Sequence, residues 1–200
     1  MCIRDSYNKW YAPNNAILII AGDVDPQQVR SLAEKYYGVI PRKDVPERQR
    51  TVEPPQNAPR EVRLSSPRVR QPQVSVTYLA PSYRQAAQQE GNNDPYALQV
   101  LSEIIGGGAT ARLYSRLVVE QGIAGAAGAS YSPNDYDYAT FSFYVAPRPG
   151  GEVEPLEAAL RHEIAELLDQ GVTVEEVAAA KKRLVAGAVF ARDSLSTAPR

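Results

Sequence analysis

The stretch from Asp137 to Ala146 alternates without a break. Ala139, Phe141, Phe143 and Val145 fall on one side, and Tyr138, Thr140, Ser142 and Tyr144 on the other. A period of two over that length specifies a β-strand with one apolar face, and that face must lie against a covering layer. The strand's partner precedes it. Ile123 to Tyr131 is rich in small residues and ends at Ser132-Pro133-Asn134-Asp135, a run of turn formers. The pair predicts an antiparallel hairpin covered on one face by helices.

Other segments supply more strands and the covering layer. Val62 and Leu64 alternate with polar residues between Arg60 and Ser66, and Val74, Val76, Tyr78 and Ala80 do so between Gln73 and Ala80. Asp94 as cap and Pro95 at the first position open a helix with a stripe of Ala97, Val100, Leu101 and Ile104. Gly106-Gly107-Gly108 breaks it before a second helix carrying Leu113, Leu117 and Val118. Leu156, Leu160, Ile164 and Leu167 mark a third helix, ending at Gly171. Thr173 and Glu176 form a capping box for a fourth, with a face through Val177, Ala180, Leu184 and Ala188. Paired strands with grouped helices predict an α+β fold, an antiparallel-rich sheet with helices packed on one face.

The first forty residues read separately. Tyr7 to Tyr11 looks like the last turn of a helix, and Met1–Ser6 like a non-native leader. Ala16–Ala21 (AILIIA) is a continuous apolar run, as expected of a strand buried on both faces. Asp25 caps and Pro26 opens a helix with Val29, Leu32, Ala33 and Tyr36 on one face and a left-handed cap expected at Gly38. From Pro41 to Pro59, five prolines interleave with charges and no apolar period survives, which predicts an extended linker. The expected organisation is therefore a leader at 1–6, the end of one α+β domain at 7–40, a linker at 41–59, and a second α+β domain at 60–200.

With 22 basic and 23 acidic side chains, the net charge is -1, which leaves no basic field for nucleic acid. No apolar run is long enough to span a membrane. The N-terminus lacks the apolar core of a signal peptide. A single cysteine, Cys2, excludes an internal disulfide.

Catalytic motifs are incomplete. His162, the only histidine, stands in Arg161-His162-Glu163, and the residue at 166 is Glu166, so neither HExxH nor HxxEH is present. His162 and Glu166 are four apart on a helix, but zinc requires three or four converging ligands, and both fall off the apolar stripe; a solvated face is the better account. Gly106–Gly108 has neither the spacing of a dinucleotide loop nor the GK[ST] ending of a phosphate loop, and a break between helices accounts for it better. No GxSxG accompanies the serines. Tyr131, Tyr136, Tyr138 and Tyr144 gather near the hairpin, either as a peptide-binding surface or, more simply, as half-buried strand tyrosines. No catalytic or metal residue can be assigned, and no substrate-binding residue is identifiable.

Several stretches in order resemble the pitrilysin/insulinase family of zinc peptidases, which includes mitochondrial processing peptidases. Trp10-Tyr11-Ala12-Pro13-Asn14-Asn15-Ala16 with Ala21-Gly22-Asp23-Val24 is similar to its "WY.PNNA…GDV" segment. Leu101 to Gly108 leading into Ala111-Arg112-Leu113-Tyr114 resembles its "L…ILGGG…SRLY" helix pair. Gln121-Gly122-Ile123-Ala124, Ala146 to Gly150, and Gly171 to Lys181 continue the match.

The resemblance implies a peptidase half built of two α+β domains, with zinc held by an HxxEH motif and a downstream glutamate that lie upstream of this chain. It implies a peptide substrate and a second homologous half or partner subunit. It further implies that this chain binds no zinc and is inactive alone, whether the parent is an endopeptidase or a non-catalytic, substrate-holding scaffold. A third reading is a nucleotide-binding α/β module using Gly106–Gly108. Where the family's non-zinc half often reads "LREKRGLAY", Val118 replaces the substrate-binding Arg and Gly125 the Tyr, which points to the zinc-bearing half. Similar bacterial chains are generally exported, hence a periplasmic expectation.

Overall fold

The computed structural model describes residues 2–51, 54 and 56–193. The chain divides into two compact units, one comprising Met1–Pro55 with Val189–Arg200 and the other Gln56–Ala188.

The smaller unit holds helix α1 (Ile3–Trp10), a short 3-10 turn at Pro13–Asn15, and helix α2 (Pro26–Tyr36). Asp25 caps α2, its Oδ1 accepting from the N–H groups of Gln27 and Gln28 at 2.8 and 3.0 Å, with Pro26 in the first turn. Gly38 differs from its expected role. Its φ is not positive; a Cβ there would lie 2.5 Å from the Glu34 carbonyl oxygen, so close approach, not a left-handed turn, requires glycine.

The Ala16–Ala21 run forms no strand and belongs to no sheet, and Ile17, Leu18, Ile19 and Ile20 are exposed, Ile17 by 88%. The physical reason lies in partners. A strand exists through hydrogen bonds to a neighbour, and among the described residues this unit contains no other strand. Within it, Asn14 grips Lys43 as a strand would, its side-chain amide donating to Lys43 O and accepting from Lys43 N, both at 3.1 Å.

The larger unit is built on a sheet of β1 (Val74–Ala80), β2 (Ala124–Tyr131) and β3 (Ala139–Pro147), in the order β1-β3-β2 and antiparallel throughout. The predicted alternation of β3 holds: Ala139, Phe141, Phe143 and Val145 are buried. They pack with Ile104 and Ile105 of α4 (Asp94–Gly106), Leu113 and Leu117, and Leu156, Leu160, Ile164 and Leu167 of α5 (Val153–Gln170). The fold is α+β, with mixed helices over an antiparallel three-stranded sheet. A four-residue helix α3 (Tyr83–Ala86) follows β1, opened by reciprocal capping between Ser82 and Gln85.

The glycines of β2 permit close approaches. The Tyr144 ring lies over Gly128, its cross-strand partner, where a Cβ would meet the phenol oxygen at 2.7 Å. A Cβ on Gly106, at the end of α4, would fall 2.0 Å from the Ala129 nitrogen, so the helix end lies directly on the β2 main chain.

Four further sequence expectations are corrected. Arg60–Ser66 is not a strand, and Val62 and Leu64 are 90% and 82% exposed; no neighbour takes up their main chain. Asn93, not Asp94, precedes the first turn of α4, and Asn92 Oδ1 accepts from the Asp94 N–H at 3.0 Å. The helix after the glycines becomes a π-helix at Tyr114–Glu120. On α6 (Val174–Ala191) only Ala180 of the expected face is buried, while Ala188 is exposed.

Candidate functional site

The charged side chains that leave the surface converge on the helical layer. Arg116, on the π-helix, donates to Glu163 of α5 at 2.7 Å and also to Glu166 one turn on. Glu163 is only 5% exposed, and its second oxygen accepts from the Gln121 amide at 3.4 Å. The Glu163 hydrogen bond, with Glu166 adding, raises the Arg116 guanidinium pKa further. An arginine shared by two carboxylates leaves the buried one with a charge-assisted partner.

A second arginine ties the α5–α6 turn to the start of the π-helix. Arg112 Nη2 donates to both oxygens of Glu176 at 2.8 and 2.7 Å, and Nη1 to the Gly171 carbonyl at 3.1 Å. Glu176 also closes the predicted capping box, accepting from Thr173 N at 2.8 Å while its own N–H donates to Thr173 Oγ1 at 3.1 Å. Burial alone would raise the Glu176 pKa. The Arg112 hydrogen bond and the Thr173 N–H outweigh it, so the carboxyl titrates below its ordinary value. Arg148, just past β3, donates to Val118 O at 3.1 Å and Ala124 O at 3.4 Å, and so closes the C-terminal end of the π-helix. Arg183 reaches Glu103 at 2.6 Å.

The residues singled out from sequence do not assemble. His162 is 69% exposed, and its Nε2 lies 4.0 Å from Glu166 Oε1, while the other Glu166 oxygen is engaged by Arg116. Two donors on an open helix face, one already bound to a guanidinium, do not fit a zinc site. Among the described residues, no three His, Cys, Asp or Glu side chains converge to hold a metal. Cys2 is an exposed free thiol.

Gly106–Gly108 closes the C-terminal end of α4, and Gly107 lies against the Glu103 carboxylate, where an added Cβ would be 2.4 Å from it. Helix-end carbonyls beside a carboxylate repel phosphate, the opposite of a nucleotide loop. The hairpin tyrosines separate by role. Tyr131 donates to the Pro81 carbonyl, and burial raises its pKa; Tyr136 stacks beneath Arg84, 3.7 Å from ring centre to guanidinium; Tyr138 and Tyr144 are exposed. Val118 is part of the π-helix. Gly125 is the extra residue of a β-bulge between Ala124 and Ala126, and a Cβ there would touch Pro147 O at 3.0 Å.

Open hollows lie elsewhere on the two units. One, of about 290 Å³, is lined by uncharged groups: the amides of Gln85, Gln88, Gln89 and Asn92, with Leu79 and Tyr138. Another, of about 510 Å³, lies in the smaller unit between Trp10, Lys9, Glu47 and Arg48. The first is lined by no carboxylate, histidine or thiol. Sequence reasoning missed Arg112, Arg116, Arg148 and Arg183. Their partners are 24 to 80 residues away, a separation no local pattern reports.

Comparison with known proteins gives these features a context. A zinc protease described as PqqE from Helicobacter pylori is 28% identical over 171 residues, covering 84% of this chain and 36% of the relative. A solved structure of a Helicobacter pylori protease superposes with a TM-score of 0.81 and 24% identity over 99% of this chain and 47% of that one. The periplasmic protease PqqL of Escherichia coli follows at 0.73 and 20%, over 97% of this chain and 21% of that one. A peptidase M16 inactive domain from Pseudomonas fluorescens superposes at 0.59 and 18%, over 90% of this chain and 41% of that one. The chain thus spans less than half the length of these relatives. Residues 3–184 match the family described as Peptidase M16 inactive domain, and the chain belongs to that pitrilysin-like peptidase family.

Proposed function

We propose that this chain is a non-catalytic part of a zinc-dependent endopeptidase that encloses unfolded peptides between two homologous halves. In this reading residues 60–200 form chamber wall and contacts with the partner half, and residues 7–40 end the domain before it. The observation that carries the reading is the inactive-domain match running from residue 3 to residue 184. The zinc protease named among its relatives supports zinc in the parent protein, with ligands outside this chain. The arginine-linked helical layer suits a wall: it fixes the helices to one another. The periplasmic relative supports an exported location for the parent.

The test is calorimetric titration of the 200-residue chain with zinc, together with an assay on unfolded peptides. No stoichiometric binding and no cleavage are expected. Tight one-to-one binding would overturn the assignment.

A second reading, a structural or substrate-holding subunit with no active parent, draws on the description of the inactive domain from Pseudomonas fluorescens. The parent reading frame separates the two, over a stretch upstream of Tyr7 on the order of one domain. An intact HxxEH with a downstream glutamate supports the enzyme, and a broken motif the scaffold.

A further inference from the structure

The hollow of about 290 Å³ at the end of β1 has a lopsided hydrogen-bonding character. Its lining carries no charged side chain, and four of its residues, Gln85, Gln88, Gln89 and Asn92, are amides. A free amide offers two donors and an oxygen with two lone pairs. Here most of the oxygens are already engaged. Gln85 Oε1 accepts from Ser82 N at 3.2 Å, Asn92 Oδ1 from Asp94 N at 3.0 Å, and Gln89 Oε1 from Asn92 Nδ2 at 2.9 Å. Backbone N–H partners fix which way Gln85 and Asn92 point, and Asn92 then fixes Gln89. The main-chain carbonyls beside them are engaged as well. Pro81 O accepts from the Tyr131 hydroxyl, and Gln85 O and Gln89 O accept from Gln88 N and Asn92 N, both at 3.1 Å. What the lining keeps free is N–H: the Nε2 groups of Gln85 and Gln89, with the Gln88 amide, which has no partner among the described residues.

The rest of the lining is apolar or aromatic. Leu79 stands opposite Thr140 in the sheet, and Tyr138, two residues before Thr140, lines the same hollow together with Pro81. Leu79 and Tyr138 are both exposed. The frame around them is set in advance. Ser82 and Gln85 cap each other, Tyr83 N donates to Pro133 O at 2.9 Å, and the Tyr83 hydroxyl donates to Gln99 Oε1 at 2.8 Å. Donors held in place beforehand lose less freedom when a ligand arrives.

A ligand matched to such a lining brings carbonyl oxygens, no N–H of its own, no charge, and an apolar surface for Tyr138 and Leu79. Sugar hydroxyls and ordinary peptide units each carry a donor, and a donor left without an acceptor costs binding energy. A cationic side chain finds no carboxylate here, and an anionic one no cation. A proline run meets every condition. Each proline keeps its carbonyl and lacks the N–H, and the run holds an extended left-handed helix with no internal hydrogen bonds, so its carbonyls stay available and its rings suit an aromatic lining. We infer that the hollow binds a proline-rich peptide segment, its carbonyls accepting from Nε2 of Gln85, Gln88 and Gln89 and its rings lying against Tyr138 and Leu79. This rests on the chamber reading for a peptide as the ligand and adds to it a preferred class of sequence.

Side-chain amide signals in proton–nitrogen NMR spectra of the full 200-residue chain read the contact directly. The probes are an end-blocked oligoproline, an end-blocked glycine–serine peptide of equal length and an uncharged disaccharide. Oligoproline should move the Gln85, Gln88 and Gln89 amide signals and bind about tenfold more tightly than the glycine–serine peptide. Gln88→Ala/Tyr138→Ala should weaken that binding several-fold and leave the melting temperature unchanged, because both side chains are exposed. Equal binding of the glycine–serine peptide or the disaccharide, or undiminished binding by the double variant, would overturn the inference. Oligoproline shifts confined to other parts of the chain would overturn it too, and leave the chamber reading standing, since the zinc and cleavage tests do not involve the hollow. The ligand has two possible sources, a substrate or the proline-rich 41–59 segment of a second copy. If the same signals move on concentrating the chain without a probe, and stop moving in Pro41→Ala/Pro46→Ala, the second copy is a source; signals that respond to the probe alone assign the site to substrate.

Discussion

At the scale of single residues, small side chains and arginines decide the most. Gly106 has the main chain of Ala129 where a side chain would go, so Gly106→Ala must push α4 off the sheet. A loss of about 3 kcal/mol is expected, at the upper end for overpacking, read as a lower urea midpoint with an unchanged slope. Arg112 holds a partly buried carboxylate together with a turn carbonyl. Arg112→Ala should cost about 2 kcal/mol, between the values for exposed and buried pairs. Because the folded Glu176 pKa lies below its ordinary value, its contribution is fully present above that ordinary value and is lost as pH falls through the lowered one. Glu176→Gln should therefore lower stability at neutral pH and flatten the decline that sets in as pH falls below the ordinary glutamate value, as followed by thermal melts from neutral to acid pH. The capping role of Glu176 was legible, since Thr173 and Glu176 are three apart. The arginine 64 residues away was not, because nothing local in a sequence marks which distant cation turns inward.

Among elements, the joint between the π-helix and α5 depends on one cation serving two carboxylates. Removing Arg116 leaves the buried Glu163 carboxyl without its cation, and Arg116→Ala should cost about 3 kcal/mol. The double change Arg116→Met/Glu163→Leu should recover most of that loss, because an apolar pair of similar volume has no desolvation penalty to offset. Denaturant unfolding of the three proteins checks both statements; a double variant no more stable than Arg116→Ala would refute this account of the joint. Elements whose signal is local were readable: the alternation of β3, the stripe of α5, the Asp25 cap of α2. Elements that need a partner were not. Ala16–Ala21 and Arg60–Ser66 carry strand composition, yet a strand is a relation between two segments, and composition reports only one of them. The π-helix escaped for a different reason, because its widened turn still buries Leu117, as an ordinary helix would.

For the whole molecule, the family assignment rests on the order of many weak stretches, and the absence of HxxEH was plain from the residues alone. The fold class was equally plain, because strands in pairs with grouped helices allow few architectures. The uncovered run from Ile17 to Ile20 has a consequence of its own. Four consecutive large aliphatic side chains in water are what solvatochromic dyes and holdase chaperones recognise. The 200-residue chain, purified alone, should enhance the fluorescence of such a dye at ambient temperature and low denaturant, well before its cooperative transition. Ile17→Ser/Ile19→Ser should remove most of that signal without moving the melting temperature, so that for this chain solubility and stability are set by different parts of the sequence.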